Sequence, residues 1–84
     1  MKYKIVFTRR AAKDISSLEP DVKVRIKSAL TKYSRDPLSN ARKMIDSSMG
    51  TYRFRIGDYR VIFDIEGEDI IILRVGHRKE IYRR

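Results

Sequence analysis

Three arginines punctuate one short segment, Tyr52-Arg53-Phe54-Arg55-Ile56-Gly57-Asp58-Tyr59-Arg60, and a second basic group, His77-Arg78-Lys79, precedes Tyr82 and Arg83 near the C-terminus. Arginine presents a planar fork of donors that meets a phosphate at two points, whereas lysine serves equally well where only solubility is wanted. The chemistry on offer is recognition of a phosphate. His77 and Tyr82 add groups that can share or move a proton. Each also has a plainer reading. His77 fits a rim histidine with a local hydrogen bond, and Tyr82 fits either an aromatic that tucks the tail down with Ile81 or a phenol that stacks on a base; spacing does not choose.

The whole chain is cationic. Its 84 residues hold 20 Lys and Arg against 11 Asp and Glu, a formal charge of +9, so a polyanion such as nucleic acid is the leading partner. There is no Cys, which removes disulfides, thiolate metal sites and cysteine nucleophiles, and one His cannot make a zinc site without gathered carboxylates. Glu66, Glu68 and Asp69 resemble a metal cluster only on paper, because they flank a hairpin glycine where carboxylates are ordinarily solvated. No metal and no cofactor is expected. No apolar run approaches the roughly 18 residues a membrane span needs, and the N-terminus lacks the apolar stretch of a secretory signal, so the expected location is cytoplasmic with no membrane partner. The length and the 42% hydrophobic content suit one core, hence a single domain over residues 1–84.

The elements that must carry these residues follow from periodicity. Tyr3, Ile5 and Phe7 alternate with Lys4, Val6 and Thr8, which predicts a first strand of some six residues. Thr8 stands as an N-cap, and Ala11, Ala12, Ile15 and Leu18 form the stripe of a short helix. Pro20 starts a second helix, whose stripe is Val22, Ile26, Ala29, Leu30 and Tyr33 and whose remaining surface carries Lys23, Arg25, Lys27 and Lys32. Asp36-Pro37 ends it. Leu38 to Gly50 has no period and reads as a connecting loop with one helical turn around Arg42 to Ile45; Arg42 and Lys43 are candidate RNA contacts within it, although an ordinary solvated loop explains them too. Strands are expected over Thr51–Ile56, Tyr59–Ile65 and Ile70–Val75. The order β-α-α-β-β-β predicts an α+β fold, with two helices packed on one face of a small antiparallel sheet.

Parity supplies the sharpest expectation. A two-residue turn at Gly57-Asp58 pairs Ile56 with Tyr59, Arg55 with Arg60 and Phe54 with Val61. Tyr52, Phe54, Ile56, Tyr59, Val61, Phe63 and Ile65 then face the core, and Arg53, Arg55 and Arg60 share the other face. Directly opposed like charges destabilise a sheet by up to about 1 kcal/mol, so an anion is expected between them.

The segments Tyr52 to Phe63 and Val75-Gly76-His77-Arg78-Lys79-Glu80-Ile81-Tyr82, together with the opening strand and the Ala11-Ala12 helix start, resemble the RelE/ParE toxin superfamily of toxin–antitoxin systems over the whole chain. That resemblance implies a microbial RNase-like fold. For the RelE branch it implies metal-independent cleavage of mRNA in the ribosomal A site, by attack of a ribose 2′-hydroxyl on the adjacent phosphate, with a cognate antitoxin as protein partner. Residue by residue, the implied phosphate ligands fall on Arg53, Arg55 and Arg60, the charge-stabilising arginine on Arg78 and the nucleotide-orienting tyrosine on Tyr82; Lys79 and Arg83, in the same basic tail, are further candidate RNA contacts by their charge and place. Some relatives carry lysines on the second strand, and a guanidinium cannot replace lysine as a base. The base is open between His77 and Tyr82; an imidazole, titrating near about 6.5, suits the task better than a phenol near about 10. Two other functions fit the same resemblance: a ParE-like inhibitor of DNA gyrase without nuclease activity, and a non-catalytic module that binds RNA or the ribosome.

Overall fold

The N-terminal alternation becomes strand β1 (Lys4–Phe7) in the computed structural model, which describes residues 3–44, 48 and 50–81. Thr8 then turns the chain into helix α1 (Arg9–Ser16), its Oγ1 accepting the Ala11 N–H at 3.1 Å as an N-cap should. Helix α2 (Pro20–Tyr33) opens on its proline, whose missing N–H costs nothing in a first turn. Ala11, Ile15, Ile26 and Leu30 are buried. Ala12, part of the expected stripe, is exposed, because so short a helix meets the sheet along one narrow side.

The next segment departs from expectation. Its helical turn comes earlier, as α3 (Pro37–Asn40), and Arg42 lies instead in strand β2 (Ala41–Lys43), which pairs antiparallel with strand β3 (Tyr52–Ile56). Local side-chain bonds close the turn: Ser39 Oγ donates to Asp36 Oδ2 at 2.7 Å, and Asn40 Nδ2 to the Asp36 carbonyl at 2.8 Å. Three residues are too few to display a period. β2 forms because the edge of β3 offers unpaired backbone groups, and the Met44 N–H continues the ladder to the Thr51 carbonyl at 2.8 Å.

Strands β4 (Tyr59–Glu66) and β5 (Asp69–His77) complete a five-stranded sheet of order β1-β5-β4-β3-β2. All neighbours are antiparallel except at one edge, where β1 runs parallel to β5, from Lys4 beside Asp69 to Phe7 beside Ile72. The fold is α+β as expected, but the sheet is mixed. Helices α1 and α2 cover one face, and their buried residues close over Phe54, Ile56, Val61, Phe63, Ile70, Ile72 and Val75. Phe54 and Phe63 stack with centroids 4.2 Å apart, and Tyr33 of α2 tilts onto Phe54 at 5.1 Å. This aromatic column ties the long helix to the hairpin that carries the arginines.

Candidate nucleic-acid interface

The β3–β4 hairpin adopts the register that parity predicts: Phe54 opposite Val61, Arg55 opposite Arg60 and Ile56 opposite Tyr59. Gly57 has φ +58°, the left-handed first position that a two-residue type II′ turn demands. The core set faces the helices, and the positions of Arg53, Arg55 and Arg60 belong to the other face of the sheet. β2 adds to this face, since Arg42 stands directly opposite Arg53. The outer face of β2, β3 and β4 thus carries two cross-strand arginine pairs, Arg42 with Arg53 and Arg55 with Arg60.

That face is less bare than the sequence suggests. Ile62, two residues beyond Arg60, is fully buried, because Gly50 lies directly upon it. A Cβ on Gly50 would meet Ile62 Cγ2 at 2.6 Å and Leu73 Cδ1 at 2.9 Å, so only glycine lets the chain approach so closely. The Thr51 N–H, bonded to Asp64 Oδ1 at 2.6 Å, anchors the same segment. Arg60 itself is 8% exposed, its Nη1 donating to the carbonyls of Gly57 and Tyr59, both at 2.9 Å. It braces the turn from beneath, whereas Arg55 and Arg42 are exposed and Arg53 is half-buried.

The end of β5 brings the tail to the same turn. The Arg78 N–H donates to the Asp58 carbonyl at 2.7 Å, and Arg78 Nε lies 3.7 Å from Asp58 Oδ1 in an exposed, solvent-screened pair. The tail then folds back, Glu80 and Ile81 N–H groups both donating to the His77 carbonyl at 2.9 Å. Ile81 is buried over Gly76, where a Cβ would come within 3.0 Å of its Cδ1. Because Gly76 registers with Arg60, the tail crosses to the arginine face. His77 does not. It registers with Tyr59, on the helix side, and meets that ring edge-on at 5.5 Å. His77 Nδ1 accepts the Lys79 N–H at 3.1 Å, which assigns the neutral ring's proton to Nε2 and makes that nitrogen a donor. Lys79 and Lys43 are exposed, and Tyr82 and Arg83 lie outside the described residues.

Beside His77 a groove of about 430 Å3 runs along the part of β5 that β1 leaves open, between Leu18, Glu19, Arg74 and Glu80. Asp14 of α1 closes this edge by accepting from Arg74 Nε at 2.9 Å and from the Val75 N–H at 3.0 Å, both through Oδ2.

With this geometry in place, the sequence model of the ParE toxin family of type II toxin–antitoxin systems matches residues 5–82. The chain belongs to the RelE/ParE toxin superfamily. Among relatives, Toxin RelG of Mycobacterium tuberculosis is 36% identical over 87 residues, covering 100% of both chains. A toxin of Methanocaldococcus jannaschii, RelE3, is 31% identical over 83 residues, 94% of each. In structure, a chain of the RelBE2 toxin-antitoxin complex from M. tuberculosis superposes with a TM-score of 0.83 at 31% identity, covering 93% of this chain and 100% of that one. A chain of the archaeal RelE-RelB complex from Pyrococcus horikoshii OT3 shares the fold, with a TM-score of 0.77 at 24% identity over 95% and 99% of the two chains.

Within this RelE/ParE chain, two features at the site escape a reading of spacing. Asp14 and Arg74 are sixty residues apart, and nothing local in either announces their bond. Arg25 reads as ordinary helix surface, yet its Nη1 lies 3.2 Å from where a Gly57 Cβ would stand. Its place directly before Ile26, on the flank of the buried stripe, is the one signal that it lies at the seam between helix and sheet.

Proposed function

We propose that this protein is the toxin of a type II system that acts as a ribosome-dependent mRNA endoribonuclease and so stops translation. The observation that carries the reading is the gathering of arginines on one sheet face, Arg42 opposite Arg53 and Arg55 opposite Arg60, with Arg42 and Arg55 exposed where an RNA backbone can meet them. In the proposed reaction the ribose 2′-oxygen attacks the neighbouring phosphorus, the bond from phosphorus to the 5′-oxygen breaks, and a 2′,3′-cyclic phosphate and a 5′-hydroxyl result. The 2′-hydroxyl proton leaves and the 5′-oxygen gains one. Arg55 and Arg78 are the groups proposed to meet the equatorial oxygens, where negative charge grows, without help from a metal. Arg60 holds the turn that aims them, and Arg53, Arg42, Lys43 and Lys79 follow the RNA backbone.

His77, with Nε2 as its donor, suits a hydrogen bond to the leaving oxygen better than removal of the 2′-proton. The base is left to Tyr82 or to the ribosome–RNA complex itself. The solved relatives include toxin–antitoxin complexes, so a cognate antitoxin is the proposed protein partner. An acidic, extended antitoxin segment across the arginines would both hide the site and offset the +9 charge. A ribosomal target would put the protein's site of action in the cytoplasm.

The test is a primer-extension map of mRNA on translating ribosomes. Wild-type protein should produce discrete cuts, and Arg55→Ala and Arg78→Ala should each lower the cleavage rate by about 10²-fold, the loss typical of one preorganised donor. The match to the ParE model favours a second reading, gyrase inhibition. Intact mRNA together with blocked DNA supercoiling would establish that reading in place of the first.

A further inference from the structure

The Gly57–Asp58 turn is approached by guanidinium groups from three elements. Arg60 holds its carbonyls from below through Nη1, and Arg78 reaches Asp58 from the end of β5. Arg25 comes from α2, on the opposite side of the sheet from Arg55, with Nη1 3.2 Å from the position a Gly57 side chain would occupy. These three cations differ in what they can still do. Arg60 is buried and has Nη1 engaged by two carbonyls, so it is a brace. Arg78 is exposed but stands beside a carboxylate at 3.7 Å. Arg25 is exposed, and among the described residues no hydrogen bond or ion pair holds its guanidinium.

An arginine on an ordinary helix surface extends into water. Here the side chain instead lies against the backbone of a turn already crowded with positive charge, at a glycine where no side chain obstructs it. Arg60 and Arg78 repel it there, the single Asp58 carboxylate does not offset three guanidinium groups, and a phosphate at the turn would add an attraction to each of them. We propose that Arg25 is a further substrate-binding residue, a phosphate ligand that grips the RNA backbone at the Gly57–Asp58 turn from the helix side while Arg55 and Arg78 hold it from the sheet side. The proposal rests on the ribonuclease reading above and adds to it a ligand from a different layer of the fold. Backbone threaded across the hairpin tip would then touch both faces of the sheet, which brings it past His77 on the helix side as well.

The experiment measures binding of the full chain to ribosomes programmed with an mRNA carrying 2′-O-methyl groups, which cannot be cut, across a series of salt concentrations, beside cleavage of the unmodified mRNA. Arg25→Ala should weaken binding about threefold to tenfold and flatten the salt slope by about one unit, as loss of one phosphate contact does. Arg25→Lys should recover the slope but only part of the affinity, because it restores the charge without the fork. Lys27→Ala, which removes an exposed charge elsewhere on α2, should change neither. An Arg25→Ala protein that binds and cuts as wild type does, or one no worse than Lys27→Ala, overturns the role of Arg25 and leaves the nuclease reading standing. A wild-type chain that neither binds nor cuts overturns both. Thermal unfolding of each variant shows whether a loss reflects misfolding; since Arg25 is exposed, unchanged melting is expected.

Discussion

Replacing Arg55 by glutamine removes one charge from a directly opposed pair while keeping a long polar stem on the strand. Arg55 and Arg60 are Cα partners across the hairpin, Arg55 exposed and Arg60 8% exposed. Opposed Cβ atoms stand about 4.5 to 5.5 Å apart, and long side chains splay further. At a charge separation of roughly 7 Å and an effective dielectric between about 40 and 80, the repulsion is roughly 0.6 to 1.2 kcal/mol. Arg55→Gln should therefore stabilise the protein by about 0.5 to 1 kcal/mol at about 10 mM salt, where screening is weak. In a domain of this size that raises the melting temperature by roughly 2 to 8 °C. The gain should shrink to less than half at about 0.5 M salt, since charges this far apart are then separated by more than a Debye length. Urea unfolding at the two salt concentrations reads the difference directly, and the same variant should lose mRNA cleavage. A loss of more than about 0.5 kcal/mol at low salt, or a gain that ignores salt, would refute the idea that this face holds strain for an anion to relieve.

Other substitutions test how the site is held. Asp14→Ala strips acceptors from Arg74 Nε and the Val75 N–H and should cost about 1 to 3 kcal/mol; Asp14→Asn should lose less, and hydrogen exchange at the Val75 amide should quicken in both. Gly50→Ala drives a methyl into Ile62 and Leu73 and should cost about 1 to 3 kcal/mol by chemical denaturation, an effect that would be absent if this segment merely hung in solvent. Gly76→Ala meets only the flexible end of Ile81 at 3.0 Å, so stability should fall by less than about 1 kcal/mol, while cleavage should fall further because the displaced tail carries the next residue, Tyr82.

Much of the site is written in two local rules. Period-two alternation with a glycine at Gly57 determines which side chains of residues 52–65 face inward, and the observed register agrees pair by pair. Helical period likewise picks out Ile15, Ile26 and Leu30, and Thr8 and Pro20 mark the helix starts because capping and proline geometry act within one turn. The strand at Ala41–Lys43 was not legible, because three residues show no period and owe their conformation to a neighbour. His77 follows the same logic: alternation assigns it a face only once the β4–β5 register is known, and that register includes a shift between Ile62 and Phe63.

The amino-acid sequence by itself therefore determined the two faces of the hairpin, the outward arginines, the helix stripes and the α+β order, all of them consequences of backbone geometry over a few residues. Only the tertiary structure decided that β1 pairs parallel with β5, that Gly50 and Ile81 roof part of the arginine face, that the Arg60 guanidinium turns back to the carbonyls of Gly57 and Tyr59 and that Arg25 reaches the turn from another layer. These depend on contacts between residues far apart in the chain, formed because buried apolar surface and unpaired backbone groups must find partners, and no local pattern encodes which partner is found.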